Sequence, residues 1–123
     1  MDKYLQDQHI QLYEKDDLKT DIWIKNGQIT VKKYDNRIGH QLFLMDNITF
    51  EYIKNVFETR VFSKKRPDLK ILLNQLGLNN YNVYDIVKKT HGFMTKDSFW
   101  LKFDDEQLQY EDVRFKCVWR NFI

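Results

Sequence analysis

The sequence predicts an α+β fold, in which an N-terminal antiparallel meander built on a β-hairpin packs on three to four short helices, with a C-terminal strand. Apolar and polar residues alternate on both sides of Asn26-Gly27, a pattern typical of a hairpin. Further along, apolar residues recur at three- and four-residue spacing, as in amphipathic helices. No Pro-, Gly- or Ser-rich linker is evident. We therefore expect a single domain over 1–123, with a β-rich half over 1–45 and a helical half over 46–123.

The β-rich half contains three candidate strands. Residues 10–13, Ile-Gln-Leu-Tyr, are a short possible strand, and residues 21–25 and 28–33 alternate with a period of two. In the second run Ile22 and Ile24 lie on one face and Trp23 on the other. Asn-Gly suits a type I′ turn because both central residues need a positive φ. These features predict a hairpin over 21–33.

The first helix is predicted by its N-terminal signals. Thr49 is a good N-cap, since its hydroxyl can accept an orphan backbone N–H. Ile48 and Ile53 occupy the positions of a hydrophobic staple, whose contact fixes the entry of the chain. Ile53, Val56 and Phe57 then continue as a helical stripe.

Two further helices follow. One begins near Pro67, whose fixed φ suits a first turn, and ends at Gly77. The other begins at Asn82 as N-cap and ends at Gly92. Their apolar stripes are Leu69, Leu72, Leu73 and Leu76 in the former and Val83, Ile86 and Val87 in the latter.

The last quarter of the chain mixes strand and helix signals. Residues 99–103 read as a strand, and residues 104–106 as a polar turn. Residues 108–119 alternate only loosely, and Glu111-Asp112 can instead open a helical turn. The apolar end, 119–123, is expected to pack against the body of the protein.

Charge and composition narrow the function classes. Twenty basic and 18 acidic residues leave a net charge of +2, whereas dedicated nucleic-acid binders usually carry a larger basic excess. One cysteine cannot form an internal disulfide. No apolar run reaches 18 residues, and the N-terminus lacks the apolar core of a secretory signal. We expect a cytoplasmic protein that does not enter a membrane.

Catalytic and metal-binding patterns are weak. Cys117 lies between apolar residues and is predicted to be a packing residue. His91, at a predicted helix C-terminus, is expected to cap a carbonyl there. Adjacent carboxylates could suggest acid–base chemistry, but those at 104–105 suit a solvated turn and those at 111–112 suit the cap of a helix. The three histidines lack metal-ligand spacing: His9, His40 and His91. We expect no catalytic residue, no metal and no cofactor.

Two groups of residues are candidates for partner binding. Lys64, Lys65 and Arg66 directly precede a predicted helix, where cations and free backbone N–H groups suit an anion. The second group combines aromatic and basic residues, as interface hot spots and single-strand binders do, and comprises Tyr110, Arg114, Trp119 and Arg120. Most aromatics of the last quarter are expected in the core, with Trp119 or Tyr110 exposed.

The helical half resembles a bacterial family. The motifs are Arg60-Val61-Phe62-Ser63-Lys64-Lys65-Arg66, Leu76-Gly77-Leu78, Thr90-His91-Gly92 with the following residues through Phe99-Trp100, and Tyr110-Glu111-Asp112-Val113. Over about residues 42–118 they are similar to N-terminal segments of the HipA-like serine/threonine-kinase toxins and their relatives in low-GC Gram-positive bacteria. Ser63 and Tyr110 replace the usual proline and tryptophan. A kinase needs a much larger scaffold with metal-binding residues, so the resemblance implies a free-standing accessory module without kinase activity.

Three functions follow as expectations. The favoured one is a non-enzymatic module that acts through protein–protein contacts, similar to HipA-like accessory modules of toxin–antitoxin systems. The first alternative is an inhibitor of a nuclease, of the anti-CRISPR type, encoded by a phage or another mobile element. The second alternative is a nucleic-acid binder that uses the loop Lys64–Arg66.

Overall fold

The computed structural model of the chain describes residues 2–34, 47–94 and 97–116. These residues form four strands and four short α-helices, which confirms the predicted α+β class. In chain order the elements are a 3₁₀ turn (Lys3–Leu5), β1 (Gln8–Glu14), β2 (Asp17–Lys25), β3 (Gln28–Lys33), α1 (Phe50–Glu58), α2 (Leu69–Gln75), α3 (Val83–Thr90), β4 (Phe99–Phe103) and α4 (Tyr110–Lys116).

The strands form one antiparallel sheet in the order β3-β2-β1-β4. The predicted hairpin is confirmed: Lys25 pairs with Gln28, and Asn26 and Gly27 have φ of 51° and 73°. The predicted strand over 99–103 is also confirmed. It crosses from the far end of the chain to pair with β1, which places β1 inside the sheet.

The helix caps follow the predicted chemistry. Thr49 Oγ1 accepts a hydrogen bond from the N–H of Tyr52 at 3.1 Å, and Asn82 Oδ1 accepts one from Asp85 at 3.0 Å. The loosely alternating segment after residue 108 takes the helical alternative. There Asp112 Oδ2 accepts a bond from the N–H of Gln109 at 2.9 Å, which fixes the first turn of α4.

Apolar side chains pack into two clusters. The first lies between the sheet and helices α1 and α3, and the second joins α2, α3, α4 and the loops between them. The first comprises Ile10, Leu12, Ile22, Ile24, Ile48, Ile53, Val56, Phe57, Tyr84, Val87, Phe99, Leu101 and Phe103. The second comprises Phe62, Leu72, Leu73, Leu76, Ile86, Phe93, Trp100 and Val113.

A buried arginine joins the end of α1 to the start of β4. Arg60, 3% exposed, donates to both carboxylate oxygens of Asp97 at 2.7 and 2.8 Å. It also donates to the carbonyls of Gly92 at 2.8 Å and Phe99 at 2.9 Å. These bonds tie the chain after α1 to the segment between Gly92 and Phe99.

His91 has a different role from the one the sequence predicts. Its backbone, with φ of 57°, is the left-handed residue that ends α3, one position before Gly92. The imidazole Nε2 lies 2.9 Å from Glu106 Oε2, so it pairs with a carboxylate and not with a helix carbonyl. Glu106 also accepts the N–H of Phe103 at 2.8 Å, and the pair thus ties α3 to the turn after β4.

Candidate binding surface on the open face of the sheet

One side of strands β1 to β3 carries polar and aromatic side chains. Because side chains alternate along a strand, the residues next to Ile10 and Ile22 point away from α1 and α3. We call this set the open face: His9, Gln11, Asp21, Trp23, Lys25, Gln28, Thr30, Lys32 and, just after β3, Tyr34. Trp23 is 37% and Tyr34 46% exposed.

The open face ends before β4. On that side Tyr13 and Trp100 stack with ring centroids 5.0 Å apart, and Trp100 belongs to the second core cluster. Lys102 closes this boundary, with Nζ 4.4 Å from the centre of the Tyr13 ring. The exposed surface is therefore centred on the β2–β3 hairpin.

Trp23 forms one wall of a groove on this face. His9 lies directly opposite Trp23 on β1, and the two rings are parallel within 6° at 5.0 Å. Thr30 lies opposite Trp23 on the other side, on β3. One side of the indole is thus covered by the imidazole, and the other borders an open groove of about 530 Å³. The groove is lined by Trp23, Lys25, Asn26, Gln28 and Thr30.

A hydrogen-bond network around Asp21 holds the rings of this face. Asp21, 4% exposed, lies within hydrogen-bond distance of His9 Nε2 and accepts bonds from Gln11 Nε2 at 2.9 Å and Tyr34 Oη at 2.7 Å. Burial by itself raises the pKa of Asp21, but these donors outweigh it and lower the pKa below the usual carboxyl value. Asp21 is therefore a carboxylate that orients His9, which in turn supports the indole.

Two exposed lysines lie among the aromatic residues of the open face. Lys25 and Lys32 are exposed, and Lys32 Nζ lies 5.0 Å from the centre of the Tyr34 ring. Asp21 is the carboxylate of this set, and its charge is directed to the donors around it. The exposed part of the face thus presents amines, amides and aromatic rings.

The predicted basic loop lies elsewhere. Lys64 and Lys65 are exposed, whereas the guanidinium of Arg66 makes two bonds of 2.9 Å to the carboxylate of Asp68. The hydrogen bond from Arg66 lowers the pKa of Asp68. An anion at this loop stays a prediction, and its contacts would come first from Lys64 and Lys65.

The second predicted group is described only in part. Tyr110 is half-buried, with its ring centre 6.3 Å from that of Phe93. Arg114 lies over the Tyr110 ring at 6.0 Å and bonds Glu111 at 3.3 Å. The remaining predictions lie outside the described residues or side chains: His40, Phe115, Cys117, Trp119, Arg120, Phe122 and the packing of the C-terminal end.

The sequence alone did not single out the open face as a candidate binding surface. The alternation of 21–25 placed Trp23 opposite Ile22 and Ile24, and an aromatic residue on the polar side of a strand was the signal available. His9 carried no such signal, because its position beside Trp23 depends on the pairing of β1 with β2. Tyr34 reaches Asp21 only after the hairpin has formed.

Within the described residues, no group of three or more His, Cys, Asp or Glu side chains is arranged to hold a metal ion. The described helices are all too short or too polar to cross a membrane. Comparisons of the chain with protein-family models, with curated proteins and with solved structures find no match.

Proposed function

We propose that this protein is a non-enzymatic binding module and that the open face of its sheet is the surface that contacts a macromolecular partner. The observation that carries the proposal is Trp23. Its indole is exposed, is supported on one side by the His9 ring and borders a groove with the other. Exposed, ordered aromatic rings are the residues that most often supply binding energy at interfaces.

The support behind the indole favours binding. A partner that contacts a mobile side chain must first order it, at a cost of about 0.5–1.5 kcal/mol for each side chain. Here Asp21 fixes His9, and His9 stacks on Trp23. A large part of that ordering has therefore taken place before the partner arrives.

The non-enzymatic part of the proposal is supported by the use of the titratable groups. His91 and Glu106 bind each other between α3 and the turn after β4. Asp97 holds the guanidinium of Arg60 at the end of α1. These pairs connect elements of the fold, so their charged groups are engaged in structural contacts.

The sequence-based identities of the partner stay proposals. One is a protein of a HipA-like toxin–antitoxin or regulatory system in the cytoplasm. Another is a nuclease blocked by a mobile-element inhibitor of the anti-CRISPR type. Neighbouring genes discriminate between these two, since the first predicts a toxin operon and the second phage or CRISPR genes.

Site-specific photo-crosslinking tests the surface directly, because it captures whichever macromolecule contacts the probe. Benzoylphenylalanine replaces Lys32, an exposed residue of the open face outside the groove lining, or Ile71 on α2 as the control. Ile71 is 55% exposed and lies on a helix of the second cluster. A third variant carries the probe at Lys65, in the predicted basic loop. Each protein is irradiated in extract of the organism that encodes it.

We expect an adduct at position 32 and none at position 71. Digestion of the adduct with nuclease or protease then identifies its class. Adducts at position 65 with none at position 32 would move the binding surface to the basic loop. The absence of adducts at all three positions would contradict a macromolecule-binding function.

A further inference from the structure

We infer that the partner of the open face is single-stranded nucleic acid, with one base stacked on Trp23 in the groove. This inference rests on the proposed function, since it names the partner of the same surface. It also differs from the sequence-based alternative, which placed nucleic acid at the loop Lys64–Arg66.

The shape of the groove suits a flat ring. The indole of Trp23 stacks on His9, which lies opposite it on β1, and Thr30 lies opposite it on β3, where both residues line the groove. A planar group that enters the groove therefore extends the stack from imidazole to indole to ligand. Stacking of a base on an aromatic side chain is the main contact of proteins that bind single strands.

The remaining lining distinguishes a base from an apolar protein anchor. Lys25, Asn26 and Gln28 provide an amine and amides, and Thr30 provides a hydroxyl. A pocket for an apolar anchor of a protein partner is lined mainly by apolar side chains. Amide and hydroxyl groups instead match the donor and acceptor edges of an unpaired base.

The charge on this face favours a polyanion. Lys25 borders the groove, and Lys32 lies two residues further along β3 than Thr30. Asp21 is nearly inaccessible, and its oxygens are directed to His9, Gln11 and Tyr34. Asp7 is an exposed carboxylate at the hairpin-turn end, where its Oδ1 accepts the N–H of Asn26 at 2.9 Å. Along the rest of the face an approaching phosphate chain meets Lys25 and Lys32.

Tyr34 provides a second aromatic surface along the same strand. It lies four residues beyond Thr30, which corresponds to about 13 Å along an extended chain. The hydroxyl of Tyr34 donates to Asp21, two residues from Trp23 on β2, which keeps both rings on the same face. Trp23 and Tyr34 can therefore contact one strand at two points.

Fluorescence anisotropy measures the binding directly. The probes are a labelled oligothymidylate and a labelled mixed-sequence RNA of about 12 nucleotides each, near the site size of single-strand binders. The salt is about 50 mM, where electrostatic contacts are strong. A duplex of the same sequence and an abasic oligomer of the same length serve as control ligands.

The variants separate stacking from charge. We expect Trp23→Ala to weaken binding about tenfold or more, and Trp23→Phe to stay within about threefold of the wild type. Thr30→Leu keeps the indole but fills the groove, so it should weaken binding to a similar extent. Lys25→Gln and Lys32→Gln should each reduce the slope of log K against log salt by about 0.7. The matched controls are Ile71→Ala and Lys65→Gln, and both should bind as the wild type does.

The binding measurements can either support or overturn the inference. The inference is supported if the protein binds the single strands more tightly than the duplex and the abasic oligomer, and if Trp23→Ala and Thr30→Leu lose this preference. It is overturned by no binding to either probe, by equal binding to the abasic oligomer, or by a loss confined to Lys65→Gln. If the probes do not bind while the crosslinker at position 32 captures a protein, the inference fails and the proposed function stands. Melting temperatures of all variants show whether they are folded.

Discussion

Arg60 is the residue on which the junction between α1 and β4 depends. Its guanidinium neutralises Asp97 and satisfies two backbone carbonyls at once, in a position that is 3% exposed. Removal of one partner of a buried ion pair is costly because the other partner is left uncompensated. Lysine is a poor substitute, since it lacks the planar fork that reaches all of these acceptors.

We expect Arg60→Met to lower the free energy of unfolding by on the order of 3 kcal/mol, measured by urea denaturation. Arg60→Lys should recover less than half of that loss. The control is Arg114→Met, because Arg114 and its partner Glu111 are exposed, and exposed pairs contribute about 0–1 kcal/mol. Equal stability of Arg60→Met and Arg114→Met would show that the buried pair does not support the fold.

The Asp21 network makes stability depend on acid pH. The hydrogen bonds of the folded state hold the pKa of Asp21 below its unfolded value of 3.8, despite burial. The unfolded state therefore binds the proton more readily than the folded state does. The stabilisation from the Asp21 carboxylate is complete when the pH lies above the unfolded pKa. As the pH falls below about 4 and through the folded pKa, the contribution is lost.

We accordingly predict that Asp21→Asn loses less stability than the wild type when the pH is lowered from about 5 to about 2. Thermal melting at each pH measures this loss. The pKa of Glu106 is also lowered, since the bonds from His91 and Phe103 outweigh its burial. Part of the acid sensitivity should therefore persist in the single variant. A parallel pair of stability curves for wild type and Asp21→Asn would exclude a contribution from the network.

At the scale of elements, local signals were sufficient for most of the fold. Asn26-Gly27 predicted the hairpin, and Thr49 and Asn82 predicted two helix starts, because a turn or a cap is decided by neighbouring residues. The secondary structure of the segment from residue 108 onward was ambiguous, since its weak apolar periodicity fits both a strand and a helix. The bond from Gln109 to Asp112 decides it locally.

The candidate surface required information that neighbouring residues do not contain. The pairing of β4 with β1 joins residues about ninety positions apart. The stack of His9 on Trp23 depends on a register that shifts between Leu12 and Tyr13. A shift of one residue moves a strand's side chains to the opposite face. The sequence thus predicts strands and helices well, and cross-strand sites poorly.

Two glycines at the ends of elements allow the cost of a packing contact to be separated from the cost of backbone strain. Gly27 and Gly92 both have a positive φ, of 73° and 61°. An added Cβ at Gly27 meets nothing within 4 Å, whereas at Gly92 it lies 3.4 Å from Arg60 Cβ and from Leu101 Cδ1. The left-handed conformation costs either alanine about 1–2 kcal/mol.

We expect Gly92→Ala to destabilise the protein more than Gly27→Ala, by roughly 1 kcal/mol in addition to the shared strain. Urea denaturation of the two variants gives the difference directly, since the strain term is common to both. If Gly27→Ala is equally or more destabilising, the contact between Gly92 and the Arg60 side chain is not tight.

At the scale of the whole molecule, α3 and β4 connect the two core clusters. Neighbouring residues on each element point into different clusters: Ile86 and Val87 on α3, and Trp100 and Leu101 on β4. An element shared in this way cannot lose its contacts with one cluster and keep those with the other without exposing buried apolar area. The sheet and the second cluster should therefore unfold together.

This predicts a single unfolding transition, and substitution in either cluster should shift it as a whole. Ile86→Ala, in the second cluster, should cost about 2–5 kcal/mol, and Val87→Ala, in the first, somewhat less because fewer buried atoms are removed. Urea denaturation is followed by far-ultraviolet circular dichroism, which reports the backbone, and by tryptophan fluorescence, which includes Trp100 in the second cluster. The two signals should have the same midpoint in the wild type and in each variant, because coincident transitions are the mark of a cooperative unit. If Ile86→Ala moves the fluorescence midpoint but leaves the circular dichroism midpoint in place, the clusters are independent units and the single-domain prediction is wrong.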